Sequence, residues 1–193
     1  MEELELYAKQ NNIPIIQKDG ILYLINYIKK NNIKTILEIG SAIGYSAIMM
    51  ASISCDIKIT TIEKDKERYD IAVSNINKYG LNNQIDIIYG DACDVEINGS
   101  YDLIFIDASK GKNTFFFNKF KHNLNNEGTI VTDNISFHGL VEDPSLIKTK
   151  NQRGIVNKIK SYIEFLDNNE EFITTYNEVG DTIAISKRGD YNE

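Results

Sequence analysis

The sequence predicts an α/β fold: a doubly wound, mostly parallel sheet that ends in an antiparallel hairpin. Three observations carry that prediction. Short apolar runs alternate with helix-length amphipathic segments along most of the 193-residue chain, the pattern that strand–helix–strand crossovers leave. The run Leu103-Ile104-Phe105-Ile106 is wholly apolar, as a parallel strand covered on both faces should be. Two β-rich runs near the C-terminus are separated only by residues 177–181, including Gly180, which reads as a hairpin.

Taken in order, residues 18–30 place Ile21, Leu22, Leu24, Ile25 and Ile28 close to helical spacing, so an amphipathic helix is expected there. Strand 35–39 leads into helix 45–53, and strand 57–62 into a charged helix over 65–79 that Gly80 ends. Strands follow at 84–88 and 103–106, then a helix near 114–124 and a fifth strand at 129–132. After a loop at 135–150 come a helix at 154–166 and the hairpin strands 172–176 and 182–186. No repeat, low-complexity tract or linker interrupts the chain, so residues 1–193 are expected to form one domain, with 1–30 as an N-terminal helical cap.

Composition narrows the function. No segment approaches the roughly 18 apolar residues of a membrane span, and the acidic Met-Glu-Glu-Leu-Glu-Leu start is unlike a secretory signal. A cytoplasmic protein is expected. Cys55 and Cys93 stand far apart without a Cys-x-x-Cys spacing, so neither a disulfide framework nor a zinc site is suggested. The net charge of −7 argues against indiscriminate nucleic-acid binding. Yet residues 146–160 contain Lys148, Lys150, Arg153, Lys158 and Lys160 and no acid. They read either as a solvated helix face or as an anion-facing patch.

Chemistry concentrates at the predicted strand ends, where open α/β sheets bind ligands. In Glu38-Ile39-Gly40-Ser41-Ala42-Ile43-Gly44-Tyr45-Ser46, an apolar run ends in an acid and a glycine-bracketed turn opens a helix. Such a turn can hold a nucleotide-like cofactor against backbone N–H groups, although an ordinary strand-to-helix turn has the same pattern. Glu63 ends the second strand, where a carboxylate can accept from both ribose hydroxyls or simply open a charged helix. Asp91, in Gly90-Asp91-Ala92, suits an adenine amino group or an N-cap. Asp107 ends the fourth strand and Asp133-Asn134 the fifth. Adjacent parallel strands would bring these three oxygen donors together, a set suited to Mg²⁺, or to Mn²⁺ or Ca²⁺, before Zn²⁺.

Together these residues resemble the cation-dependent, S-adenosylmethionine-dependent O-methyltransferases that include the catechol and caffeoyl-CoA enzymes. The Glu38–Ser46 loop, Glu63, Gly90-Asp91-Ala92, Asp102-Leu103-Ile104-Phe105-Ile106-Asp107, Asp133-Asn134 and Val179-Gly180-Asp181 follow in that family's order and spacing. Within the family, Ile13-Pro14-Ile15, the Ala-Ile-Gly-Tyr-Ser-Ala-Ile turn and Arg153-Gly154 before a Lys-rich helix are similar to the bacterial branch of tRNA 5-hydroxyuridine methyltransferases.

The resemblance implies a Rossmann-like methyltransferase sheet and S-adenosylmethionine as methyl donor. It places Glu38, Gly40 and Ser46 at the methionine end, Glu63 at the ribose and Asp91 at the adenine. Asp107 is counted with both cofactor and metal, Asp133 and Asn134 complete the metal set, and Lys110 stands where the family has its general base. Lys110 would do so as a lysine whose pKa a cation lowers, though Ser109-Lys110-Gly111-Lys112 also reads as a surface segment. The implied acceptors are a wobble 5-hydroxyuridine in the tRNA anticodon region or a small phenol, and the implied assembly is a homodimer. The chain has no Trp, so any aromatic wall must come from Tyr or Phe. His138 reads either as a substrate contact or as an incidental loop histidine. A non-catalytic cofactor-binding protein fits the intact acid–acid–amide set poorly, and the three-glycine fingerprint of a dinucleotide oxidoreductase is absent.

Overall fold

The computed structural model describes residues 1–189; the last four residues of the expected 1–193 domain lie outside the described residues. The chain runs α1 (Glu2–Gln10), α2 (Lys18–Lys30), β1 (Thr35–Ile39), α3 (Tyr45–Ala51), β2 (Lys58–Glu63), α4 (Lys66–Lys78), β3 (Ile85–Tyr89) and β4 (Tyr101–Ile106). It continues through α5 (Asn113–Phe120), β5 (Leu124–Thr132), α6 (Lys150–Asp167), β6 (Phe172–Asn177) and β7 (Ile183–Arg188). The strands form one seven-stranded sheet in the order β3-β2-β1-β4-β5-β7-β6. All pairs through β5 are parallel, whereas β7 runs antiparallel to both β5 and β6.

Strand alternation builds a core on each face of the sheet. Ile36, Leu103 and Phe105 face one layer, where α2 inserts Ile21, Leu24 and Ile28 and α3 inserts Ile48. Leu37, Ile39, Ile104 and Ile106 face the other, under Phe116 and Phe117 of α5 and Tyr162 and Leu166 of α6. Leu103 to Ile106 are all 0% exposed, as their apolar run requires. The result is a three-layer α/β/α arrangement with its topological switch point between β1 and β4.

Several boundaries differ from those expected. The N-terminal cap is two helices, α1 being held by the buried Leu4 and Ala8 and by Tyr45, whose hydroxyl donates to Glu5 at 2.8 Å. α4 starts one residue later because Asp65 is its N-cap, accepting from Arg68 N–H. α5 closes at Phe120 into a short 3-10 turn. β5 starts at Leu124, not 129: Asn125 donates to Asp102 Oδ1 at 2.7 Å and holds the polar 125–128 segment in the sheet across a register shift. α6 starts at Lys150 because Thr149 and Gln152 form a capping box. Gly154 therefore lies inside the helix.

Candidate active site

The parallel ladders run one residue past the strands and fix where each acid emerges. Asp107 N–H donates to Ile39 O at 3.1 Å, Asp133 N–H to Ile106 O at 3.2 Å and Gly90 N–H to Glu63 O at 2.9 Å. Gly40, Glu63, Asp91, Asp107 and Asp133 consequently share one edge of the sheet.

At the end of β1, Glu38 is fully buried and accepts from Ser46 Oγ and from Thr61 Oγ1, each at 2.5 Å. Burial pushes its carboxyl up to about 7, partly countered by those two hydroxyls. Gly40 has φ +97°, and a Cβ there would lie 2.7 Å from the Asp107 carbonyl oxygen. The missing side chain thus lets the β1 turn pack against the β4 turn. Glu63 accepts from Ala42 N–H and from Asp65 N–H, both at 2.8 Å, and so holds the glycine turn at its tip. A carboxylate has further lone pairs for sugar hydroxyls. Asp91 caps its own turn: Cys93 N–H donates to its Oδ1 at 2.9 Å and lowers its pKa, while Oδ2 faces Lys112 and Lys64 at 3.7 and 3.9 Å. Ser41 Oγ is buried nearby in sequence without a hydrogen-bond partner.

Across the switch point lies an acid–lysine cluster. Lys110, in a 3-10 turn after β4, donates from Nζ to Asp107 Oδ1 at 3.0 Å and to the Asp133 carbonyl at 3.1 Å. Burial, reinforced by Asp107, pushes the Asp133 carboxyl up to about 7. Burial acts to lower the Lys110 pKa, but Asp107, Asp133 and Asp181 outweigh it and hold the ammonium charged. Lys110 is therefore the counterion of these acids.

Asn134 adopts φ 65°, and its Oδ1 is buried with no hydrogen-bond partner. Among the described residues no three His, Cys, Asp or Glu side chains gather into a metal set, so a cation here would depend on Asn134 as well as Asp107 and Asp133. The donors fit: an unpaired buried carbonyl oxygen on the residue that follows Asp133, at the sheet edge Asp133 shares with Asp107, suits a hard divalent ion.

Two features went unassigned in the sequence. Asp181, in the turn between β6 and β7, is 10% exposed and lies 2.8 Å from His138 Nδ1; the Val179-Gly180-Asp181 motif was its signal. Lys158, on the exposed basic face of α6, lies across Gly111, where a Cβ would come within 2.9 Å of its Nζ. The basic run is thereby joined to the turn bearing Lys110. Among the described residues, Lys148, Lys150, Arg153, Lys158 and Lys160 are exposed and none forms an ion pair. The surface hollow lined by Thr35, Lys58, Thr60 and Tyr101 opens at the amino ends of the strands, opposite this site. No helix of the described residues is long and apolar enough to cross a membrane.

Known proteins are similar to this chain in sequence and fold. A catechol O-methyltransferase of Niastella koreensis is 38% identical over 118 residues, 57% of this chain and 53% of that protein. A caffeoyl-CoA O-methyltransferase of Medicago sativa is 33% identical over 155 residues, 75% and 63% of the two chains. This chain thus spans roughly half to two thirds of these relatives' length. The crystal structure of a candidate caffeoyl-CoA O-methyltransferase from Staphylococcus aureus superposes with a TM-score of 0.92 at 38% identity, covering 97% of this chain and 91% of that one. An O-methyltransferase from Bacillus cereus, solved with SAH, shares the fold at a TM-score of 0.82 and 24% identity, covering 97% and 90%. A sequence model of the O-methyltransferase family matches residues 1–189. The chain belongs to the O-methyltransferase family.

Proposed function

We propose that this chain is an S-adenosylmethionine- and divalent-cation-dependent O-methyltransferase. Its preferred acceptor is a 5-hydroxyuridine-type base at the tRNA wobble position. The observation that carries the cation-dependent reading is the buried, unpartnered Oδ1 of Asn134, the residue that follows Asp133 at the sheet edge where Asp107 also emerges. Glu38, Gly40 and Ser46 would hold the methionine end of the cofactor, Glu63 its ribose and Asp91 its adenine; the Bacillus cereus neighbour is solved with SAH, the demethylated form. Asp107, Asp133 and Asn134 would hold Mg²⁺, or Mn²⁺ or Ca²⁺ in its place.

The donor's sulfonium supplies an already activated methyl, so the protein's work is to prepare and align an oxygen nucleophile. A divalent ion on the three donors would stabilise the acceptor's oxyanion and take over neutralisation of the carboxylates. Lys110, relieved of that task, would accept the acceptor's hydroxyl proton at Nζ. With the carboxylates neutralised by the ion, burial would favour the neutral amine. The tRNA acceptor is supported by the unpaired cations of α6 and by Lys158 lying over Gly111 beside the lysine's turn. A catechol-like phenol is the second reading, favoured by the small-molecule relatives. Both use the same catalytic set, in a cytoplasmic homodimer.

The test combines chelation with mutation. Turnover of tRNA or catechol should stop in EDTA and return with Mg²⁺ or Mn²⁺. Asn134→Ala should weaken Mn²⁺ binding, read by calorimetry, at least about tenfold, the lower end of what even an outer-shell partner contributes. Full turnover in chelator would overturn the cation-dependent reading.

A further inference from the structure

The loop after β5 carries a polar pair that the site as described leaves unused. His138 Nδ1 lies 2.8 Å from Asp181 Oδ2, and His138 N–H donates to Asp181 Oδ1 at 3.2 Å. One carboxylate therefore holds both the backbone and the ring of this residue. The loop is joined to the β6–β7 turn by Ile135 N–H donating to Thr182 O at 3.0 Å and Ser136 N–H to Asp181 O at 2.9 Å. Phe137, His138 and Gly139 adopt φ of 49°, 58° and 77° in succession. Side-chain-bearing residues keep such angles only where their surroundings over-determine them, and such places cluster at functional sites. The pair is also close to the reaction centre: Asn134 is four residues before His138, and Asp181 is one of the carboxylates whose field acts on Lys110 and Asp133.

The chemistry of the pair is directional. An ionised carboxylate only accepts, so the neutral His138 ring carries its hydrogen on Nδ1 and presents Nε2 as a bare acceptor. The ring is 65% exposed, and among the described residues Nε2 has no hydrogen-bond partner. An acceptor atom held this way, four residues past Asn134, can read a donor on the incoming ring.

We propose that His138, oriented by Asp181, determines acceptor specificity by receiving a hydrogen bond from a ring N–H beside the acceptor's reacting oxygen pair. This rests on the O-methyltransferase reading and narrows its substrate class to hydroxylated pyrimidines. In a 5-hydroxyuracil ring the N3–H flanks the C4 carbonyl, which neighbours the C5 hydroxyl; a catechol has only C–H there. A site built to pair with a ring N–H discriminates against an analogue that lacks it. Because His138 is largely exposed, water tempers the penalty, and the preference is about tenfold rather than the far larger ratios of enclosed sites.

The experiment uses the full chain at pH 8 with three acceptors: anticodon stem-loop RNA carrying 5-hydroxyuridine, the same RNA carrying its 3-methyl derivative, and catechol. For the wild type, kcat/KM should fall about tenfold on N3-methylation, mainly through KM. His138→Ala should abolish the difference between the two RNAs and lower the RNA-to-catechol ratio about tenfold, with His138→Gln recovering part of it. Imidazole ¹⁵N shifts give a readout independent of turnover: Nε2 should respond to 5-hydroxyuridine RNA and not to the 3-methyl RNA. Asp181→Asn should move the ring proton to Nε2 and erase that response. Indifference of the wild type to N3-methylation, or equal losses on all three acceptors in His138→Ala, would overturn the inference and leave the methyltransferase reading standing. Turnover of catechol with none of either RNA would overturn the inference and the tRNA acceptor together.

Discussion

Glu38 keeps a proton in the core at pH values where the unfolded chain has released it. Its carboxyl rises from 4.5 to about 7 on burial, so between those values the folded protein keeps a proton that the unfolded one releases. Its contribution to stability is therefore fully present below pH 4.5 and lost as pH rises through 7. At about 1.4 kcal/mol per pH unit the loss is roughly 3 kcal/mol. Glu38→Gln should flatten the decline: urea midpoints of wild type and variant should diverge between pH 5 and 7.5, the variant becoming relatively more stable at the upper end. Parallel curves would mean that Glu38 ionises in the fold at little cost. The acid itself is legible as the polar end of an apolar run. Its second partner is not, because Thr61 reaches Glu38 only through the parallel register of β1 with β2, in which the two are paired. Asn134 is likewise legible as a donor, while its unpaired burial depends on the loop's left-handed turn.

Elements divide by whether local or distant forces set their limits. Strands β1, β2 and β4 lie close to where their apolar runs place them. The start of β5 does not, since Asn125 to Gly128 look like a turn and are held by a hydrogen bond to Asp102 in the neighbouring strand. Two glycines show the same division. In sequence Gly40 reads as leaving room for a ligand, yet the space of its missing Cβ lies against the Asp107 carbonyl, a neighbour visible only once β1 and β4 pair. Gly154 reads as the first residue of α6, but the Thr149–Gln152 capping box starts the helix earlier and leaves this glycine in an open helical position. Substitution by alanine should therefore have opposite signs. Gly40→Ala combines φ +97° with a 2.7 Å backbone approach and should destabilise by about 2 kcal/mol or more. Gly154→Ala meets nothing within 4 Å and should stabilise by about 0.5–1 kcal/mol. Denaturant midpoints of the two variants check the pair; a neutral Gly40→Ala would show that the turn can open away from Asp107.

At the scale of the molecule, the alternation of strands and helices makes the doubly wound sheet legible. The insertion of β7 between β5 and β6 is not, because a hairpin pattern does not say which of its strands joins the sheet. Charge distribution is the other global property, and its two scales oppose one another. The chain carries −7 overall, yet the exposed cations of 146–160 form an acid-free stretch, and Lys158 lies against Gly111 in the turn that bears Lys110. At physiological salt the Debye length is about 8 Å, so a phosphate docked on α6 feels those lysines far more than the distant acids. Reversing Lys148, Lys150 and Arg153 to Glu should raise KM for tRNA steeply and leave the small catechol, which under the proposed mechanism would need only Asp107, Asp133, Asn134 and Lys110, much less affected. Raising salt should weaken tRNA binding by the wild type in the same direction, because bound phosphates release counterions. The slope of log affinity against log salt should flatten by roughly one unit for each phosphate that the variant no longer neutralises. Net repulsion alone would slow association without producing a localised slope change, which separates the global from the local charge. Equal losses on tRNA and catechol in the reversed variant would make the segment a structural cover of the site, and the phosphate-binding role of α6 would fall.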